Sequence, residues 1–262
     1  MKKMWLIPPK HTLQKSVLLY RRLLRHKGHG VHSPFVYNLI TKVIDERCPY
    51  YRFSDIEALR QRLLTNSETL AWTHRGGSGS CSVAELAARN AIGAKQGALL
   101  FRLTHYFQAR HILQIGASAG LSTLYLTSWA RGVNCIALEQ LPACAAIARR
   151  VYETSGCTTV DLRQGDYLQI LPPVLEEMGR VDFVFFNTRC EPAAATLFKA
   201  CAACADDPAV FVFEGIKANS PMRQLWREVR AHPKVSVTLD LYCMGVAVFH
   251  KKLHKRDYTV YF

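Results

Sequence analysis

A short glycine loop followed by an acidic residue is the most informative chemical feature of the sequence. The loop, Gly116-Ala117-Ser118-Ala119-Gly120, separates a predicted strand from a predicted helix. Small residues let a backbone turn tightly and approach a ligand, and the free N–H groups of the new helix can bind an anion or carboxylate. Glu139 ends the next predicted strand, nineteen residues after Gly120, where a carboxylate can hydrogen-bond a ribose diol.

The same loop permits two other interpretations. It matches G-x-S-x-G, the nucleophile elbow of α/β-hydrolases, which would make Ser118 a nucleophile. We disfavour this because the elbow lies in the middle of a hydrolase sheet, whereas this loop follows the first predicted strand, and the downstream histidines lie beside the chain's last two strands. A dehydrogenase is the second alternative, since a glycine loop and an acid also fit NAD. The third glycine is missing, however, and the antiparallel end of the sheet favours methyl transfer over hydride transfer.

Two further clusters could bind a metal. His26, His29 and His32 recur every third residue and would share one face of a helix, but the glycines between them favour a polar loop. Cys201 and Cys204 form a C-x-x-C pair in a predicted helix. No second pair follows at zinc spacing, so we expect two small apolar residues of the core.

The elements that must position the loop and Glu139 form an alternating pattern from His111 onward. Strands are predicted at 111–115, 134–138, 159–163, 181–186 and 209–214, with helices near 120–130, 142–154, 167–178, 192–204 and 219–231. Runs that are apolar on both faces are typical of a parallel sheet covered by helices. Strands at 234–242 and 244–250 are joined so tightly that they must form an antiparallel hairpin.

The segment before this pattern is predicted to be helical and basic. Helices are expected at 12–27, from Pro34 with Ser33 as cap, at 54–65 with a capping box from Ser54 to Glu57, at 82–92 and near 97–107, with a flexible Gly/Ser loop at 75–80. We divide the chain into a helical extension, 1–95, and a cofactor-binding domain, 96–262.

Charge and composition restrict the function classes. Residues 1–75 carry +9 of the net charge of +14, which would suit nucleic acid, but no nucleic-acid motif is present and we expect a solvated basic surface. No apolar run approaches the roughly 18 residues of a membrane helix, and prolines interrupt the first apolar run, so we expect neither a membrane span nor an export signal. The expected location is the cytoplasm.

Several blocks resemble bacterial class I S-adenosylmethionine-dependent methyltransferases and, more distantly, catechol-type O-methyltransferases. The similar blocks are 25–36, 97–103, 112–116 with 121–126, and 232–241 with Met244-Gly245. The resemblance covers most of the chain. It implies an α/β, Rossmann-like fold with five parallel strands, a C-terminal antiparallel hairpin and helices on both faces. It also implies S-adenosylmethionine as cofactor, with contacts from Gly116, Ala117, Ser118, Gly120, Glu139 on the ribose and Asp166 near the adenine.

The chain departs from these relatives at the catalytic positions. Relatives carry a carboxylate where Gln114 stands, an Asp where Asn187 follows the fourth strand, and an acidic pair where Glu214-Gly215 follows the fifth. In the catechol type the last two positions hold a divalent metal, which prefers several charged oxygens. We therefore expect no metal, and Glu214 and Asn187 as the catalytic candidates, with Glu214 as general base.

The resemblance implies methyl transfer to a hydroxyl of a small molecule. One alternative is a protein that binds the cofactor but has lost catalysis; hydrolysis by Ser118 and RNA methylation are less favoured. The acceptor's identity stays open, as does the choice between a monomer and a homodimer.

Overall fold

The computed structural model of the protein describes residues 33–74, 77–188, 192–260 and 262. The helix predicted at 12–27 and the histidines at 26, 29 and 32 lie outside these residues. A two-stranded hairpin precedes the main sheet and consists of β1 (Thr69–His74) and β2 (Gly77–Ser82).

An eight-stranded sheet forms the centre of the molecule. Its strands are β3 (His111–Ile115), β4 (Asn134–Glu139), β5 (Val160–Gln164), β6 (Val181–Phe186), β7 (Ala205–Glu214), β8 (Val237–Asp240), β9 (Met244–Phe249) and β10 (Arg256–Thr259). They lie in the order β10-β8-β9-β7-β6-β3-β4-β5. β9 runs antiparallel to β7 and β8, whereas the other neighbouring pairs of this sheet are parallel. Five parallel strands and the terminal hairpin are confirmed.

Helices cover both faces of this sheet. They are α1 (Pro34–Leu39), a π-helical turn (Ile40–Ile44), α2 (Tyr51–Leu64), α3 (Val83–Asn90), α4 (Ala94–Tyr106), α5 (Leu121–Thr127), α6 (Pro142–Ser155), α7 (Tyr167–Met178), α8 (Ala194–Ala203) and α9 (Ser220–Ala231). Alternate β6 side chains point to opposite faces. Phe183 and Phe185 belong to an apolar cluster with α1 to α6, while Val184 and Phe186 belong to a second cluster with α7 to α9.

The N-terminal segment shares the first of these clusters. Val36 and Leu39 of α1 are fully buried in it, together with Phe183 and Phe185. The Ser33 cap of α1 is confirmed, since Ser33 Oγ accepts a hydrogen bond from Val36 N. The division between residues 95 and 96 stays a prediction.

Three local features differ from the sequence-based predictions. The Gly/Ser stretch predicted as a flexible loop mostly forms β2, in which Gly79 pairs with Trp72 and an added Cβ would be only 2.8 Å from the Trp72 ring. α2 begins at Tyr51, so Ser54 cannot cap it, and the Ser54 hydroxyl instead donates to the Tyr51 carbonyl. β10 extends the sheet beyond β8 and was not predicted.

Among the residues that the structure describes, none of the helices combines the length and the apolar character that crossing a bilayer requires.

Candidate functional site

The glycine loop lies at the carboxyl end of β3 and is held against β4. The backbone N–H groups of Gly116 and Ala117 both donate to the Leu138 carbonyl, at 2.9 Å. Gly116 and Gly120 have φ angles of +91° and +81°, a region that L side chains rarely adopt. A Cβ on Gly116 would also lie 2.6 Å from the Asn187 carbonyl oxygen. Glycine is therefore required at this position by both conformation and space.

Glu139 ends β4 and is bonded directly to the loop. Its Oε2 accepts a hydrogen bond from Ser118 N at 2.7 Å, and its Oε1 accepts one from Leu141 N at 2.9 Å. The side chain is buried, and burial raises the pKa of Glu139 to about 7, against the lowering effect of the backbone N–H groups. The predicted pairing of loop and acid is thus a direct contact in the structure.

Gln114 ties the loop to the helices behind it. The fully buried Gln114 amide donates to the Gly116 carbonyl at 2.9 Å and to Ser122 Oγ at 2.8 Å. Its Oε1 accepts from Thr123 Oγ1 at 2.8 Å, and that hydroxyl lies 2.7 Å from Tyr152 Oη. A neutral amide thus uses both of its ends to position the loop.

Asp166 and Leu168 occupy the neighbouring β5–α7 turn. Asp166 caps α7, with Oδ1 accepting from Leu168 N at 2.8 Å. Gly165 N donates to the Glu139 carbonyl at 3.0 Å, which places this turn beside Glu139. Leu168, which follows two residues after the exposed Asp166, is itself 50% exposed. The turn therefore presents an apolar side chain and a carboxylate at the same edge.

Asn187 and Glu214 lie at the carboxyl ends of β6 and β7. Phe186 pairs with Phe213 in the register of these strands, so Asn187 and Glu214 occupy the next pair of positions. Asn187 N donates to the Ile115 carbonyl at 2.9 Å, whereas Glu214 is buried opposite Met244 of β9. The structure thus brings both catalytic candidates to the edge that carries the glycine loop.

A charged pair lies on the β9 side of Glu214. Lys217 Nζ is 2.7 Å from Asp240 Oδ2 and 4.8 Å from the centre of the Tyr242 ring. Within the described ranges, no three or more His, Cys, Asp or Glu side chains are grouped to hold a metal ion. The predicted metal independence stays a prediction.

Several buried side-chain oxygens around this edge lack a hydrogen-bond partner among the described residues, and those of neutral residues are of interest here. They are Ser118 Oγ, Asn90 Oδ1 and Thr188 Oγ1. Because buried polar atoms in folded proteins are nearly always hydrogen-bonded, such atoms point to a group that binds there. Neither Asn90 nor Thr188 belongs to a recognisable sequence motif, so neither was predicted as a site residue.

Comparison with known proteins gives two related sequences. No family model matches. Catechol O-methyltransferase of Niastella koreensis is 33% identical over 104 residues, 38% of this chain and 47% of that protein. Catechol O-methyltransferase of Mycobacterium tuberculosis is 35% identical over 104 residues, 38% of this chain and 45% of that protein. The chain thus spans about half the length of the curated relatives it matches.

Solved structures extend the likeness over most of the chain. The O-methyltransferase from Bacillus cereus, in complex with S-adenosylhomocysteine, superposes with a TM-score of 0.55 and 18% identity, covering 82% of this chain and 97% of that one. The O-methyltransferase TomG from Streptomyces achromogenes, in complex with S-adenosylmethionine, superposes with a TM-score of 0.56 and 19% identity, covering 82% of this chain and 95% of that one. The chain has the class I methyltransferase fold. The predicted resemblance and fold class are confirmed.

The class I methyltransferase fold explains why Ser118 is not placed as a hydrolase nucleophile. The loop follows the first strand of the sheet, and Ser118 Oγ is buried without a hydrogen bond to any described residue. His250 Nδ1 lies 3.0 Å from Asp207 Oδ1, and His232 Nδ1 accepts from Lys234 N. These histidines are therefore engaged elsewhere, and the described residues assemble no serine–histidine pair.

Proposed function

We propose that the protein transfers the methyl group of S-adenosylmethionine to a hydroxyl of a small molecule. The observation that carries this proposal is the buried Glu139 carboxylate bonded at 2.7 Å to the N–H of Ser118 in a glycine loop. The names of the curated relatives and of the superposed structures support the reaction class. The cytoplasmic location of the protein stays a prediction.

The cofactor half of the site fits such a molecule. Gly116, Ala117, Ser118 and Gly120 form a tight turn of small residues at the carboxyl end of β3, and Ser118 Oγ is a buried hydroxyl that lacks a described partner. Glu139 would accept from the ribose, and the exposed Leu168 beside Asp166 would lie against the adenine. Bound S-adenosylmethionine supplies a methyl group on a positively charged sulfur, ready for attack by an oxygen.

The acceptor half would be served by Glu214 and Asn187. Glu214 would take the proton of the acceptor hydroxyl while the oxygen bonds to the methyl carbon and the carbon–sulfur bond breaks. Asn187, whose backbone is fixed to Ile115, would orient the hydroxyl through its side-chain amide. This division leaves general-base chemistry to a carboxylate that is buried at the end of β7.

We further propose that the reaction needs no divalent metal. Asn187 is neutral, and Glu214 is followed by Gly215, so the two strand ends of β6 and β7 offer one carboxylate where a hard cation prefers several. Asp240, the next carboxylate along the edge, is paired with Lys217 at 2.7 Å. Deprotonation of the acceptor must therefore rely on Glu214 instead of a metal-bound oxygen.

The test measures release of S-adenosylhomocysteine against a panel of small hydroxylated acceptors, with and without EDTA. We expect turnover that survives EDTA and is lost in Glu214→Gln. The matched control is Glu176→Gln, which changes an exposed carboxylate on α7 and should leave turnover unaltered. Activity abolished by EDTA and restored by Mg²⁺ contradicts the metal-free route. Binding of S-adenosylhomocysteine without turnover on any acceptor would favour a protein that only binds the cofactor.

A further inference from the structure

The Glu139 carboxylate has little hydrogen-bonding capacity left for a ribose diol. Backbone N–H groups of Ser118, Leu141 and Gln140 already donate to it. A carboxylate offers about four lone-pair sites, so roughly one remains. A ribose brings two hydroxyl donors, its 2′-OH and its 3′-OH. A second acceptor is therefore needed next to Glu139.

Asn90 offers such an acceptor. It is the last residue of α3 and is only 7% exposed. Its Nδ2 donates to Cys144 Sγ at 3.8 Å, whereas its Oδ1 has no hydrogen-bond partner among the described residues. Leaving a buried carbonyl oxygen unpaired carries a free-energy cost. That cost is recovered if a ligand hydroxyl donates to this oxygen.

Cys144 places Asn90 beside Glu139. Cys144 lies in the first turn of α6, which begins three residues after Glu139. Burial raises the pKa of the Cys144 thiol well above its ordinary value, and the negative charge of the nearby Glu139 raises it further. The Asn90 amide, the thiol and the carboxylate are thus near neighbours, with Asn90 reaching the group from α3.

We propose that Asn90 Oδ1 accepts a hydrogen bond from one ribose hydroxyl of the bound cofactor while Glu139 accepts from the other. This inference rests on the proposed function, because it assumes a cofactor with a ribose diol. It assigns a cofactor contact to the segment 1–95, which the sequence marks as an extension in front of the cofactor-binding domain.

Calorimetric titration with S-adenosylhomocysteine tests the proposal in the wild type and in Asn90→Leu, which keeps the branching and the number of side-chain heavy atoms and removes the acceptor. We expect Asn90→Leu to weaken binding about 10-fold, the loss of one hydrogen bond. The control is Asn134→Leu, the same exchange at the exposed amino end of β4, which should change affinity less than 2-fold. The Tm of ligand-free Asn90→Leu should equal or exceed that of the wild type, because an unpaired polar atom is removed.

The 2′-deoxy and 3′-deoxy analogues of S-adenosylhomocysteine separate recognition from packing. One of them should bind Asn90→Leu and wild type with equal affinity, since the hydroxyl that Asn90 contacts is already absent. If Asn90→Leu weakens the binding of S-adenosylhomocysteine and of both deoxy analogues equally, and also has a lowered Tm, Asn90 acts through packing and the proposal is overturned. Unchanged affinity of Asn90→Leu for S-adenosylhomocysteine would also overturn it. A wild type that does not bind S-adenosylhomocysteine at all would instead refute the proposed function.

Discussion

Glu139→Gln should remove a large pH dependence of stability. The folded protein prefers the neutral acid, since burial raises the pKa of Glu139 from 4.5 to about 7. The unfolded chain exposes this carboxyl to water and titrates it near its ordinary value. The folded state therefore binds more protons between the two values, and wild-type stability must fall as the pH rises through them. Glutamine does not titrate and is free of this effect.

The size of the effect follows from the two pKa values. They are separated by about two and a half pH units, and each unit corresponds to about 1.36 kcal/mol. The stabilisation by the neutral acid is fully present below pH 4.5 and lost as the pH rises through about 7. The free energy of unfolding of the wild type, relative to Glu139→Gln, should thus fall by about 3 kcal/mol between pH 4.5 and pH 8.

Urea unfolding of the ligand-free protein, followed by circular dichroism across this pH range, measures the difference. Glu176→Gln is the control for losing a negative charge, because Glu176 is exposed on α7, and it should reproduce the wild-type profile. If the free energies of unfolding of the wild type and of Glu139→Gln differ by a constant amount from pH 4.5 to pH 8, the reasoning is refuted. It would mean that the folded protein does not bury this carboxylate at a desolvation cost.

Three further predictions test the loop and the basic surface. Gly116→Ala should lower the free energy of unfolding by about 2 kcal/mol or more and abolish S-adenosylhomocysteine binding in calorimetry, because its Cβ meets Asn187. The control Gly156→Ala, at a residue with φ +65° and open space around it, should lower the free energy of unfolding by only about 1 kcal/mol. Equal losses in the two variants would contradict the steric argument. Ser118 should resist a fluorophosphonate probe, and its labelling would revive hydrolysis. Filter binding should detect no salt-sensitive, submicromolar affinity for mixed RNA; such affinity would make nucleic acid a partner.

The central strands could be predicted because the apolar pattern that marks each of them lies within a short stretch of the sequence. β6 is apolar on both faces, which only a sheet covered by helices on both sides tolerates. The predicted start of β7, at residue 209, was late. Residues 205–208 carry two aspartates and a proline and lack the apolar pattern, yet Ala205 pairs with Val181 across an irregularity in the ladder. The β1–β2 hairpin was missed because the glycine and serine residues of β2 have low strand propensity, and their pairing with β1, in which Gly79 lies opposite Trp72, is a contact between segments.

The site could be predicted only where its residues form a motif. The glycine loop and Glu139 follow from spacing along two consecutive strands, and the structure joins them by one hydrogen bond. Asn90 and Cys144 are 54 residues apart, so no sequence pattern indicates their contact. The Gln114 side chain could be recognised as a departure from relatives, but its bonds to Ser122 and Thr123 depend on how α5 packs.

The most direct test of the account is calorimetric titration of the wild-type protein with S-adenosylhomocysteine, in parallel with NAD. The account predicts one cofactor site per chain for S-adenosylhomocysteine, no binding of NAD, and an affinity reduced by about 1–3 kcal/mol in Glu139→Ala, which loses a hydrogen bond to an ionised acceptor. Binding of NAD with no binding of S-adenosylhomocysteine, or an affinity for S-adenosylhomocysteine that Glu139→Ala leaves unchanged, would contradict it.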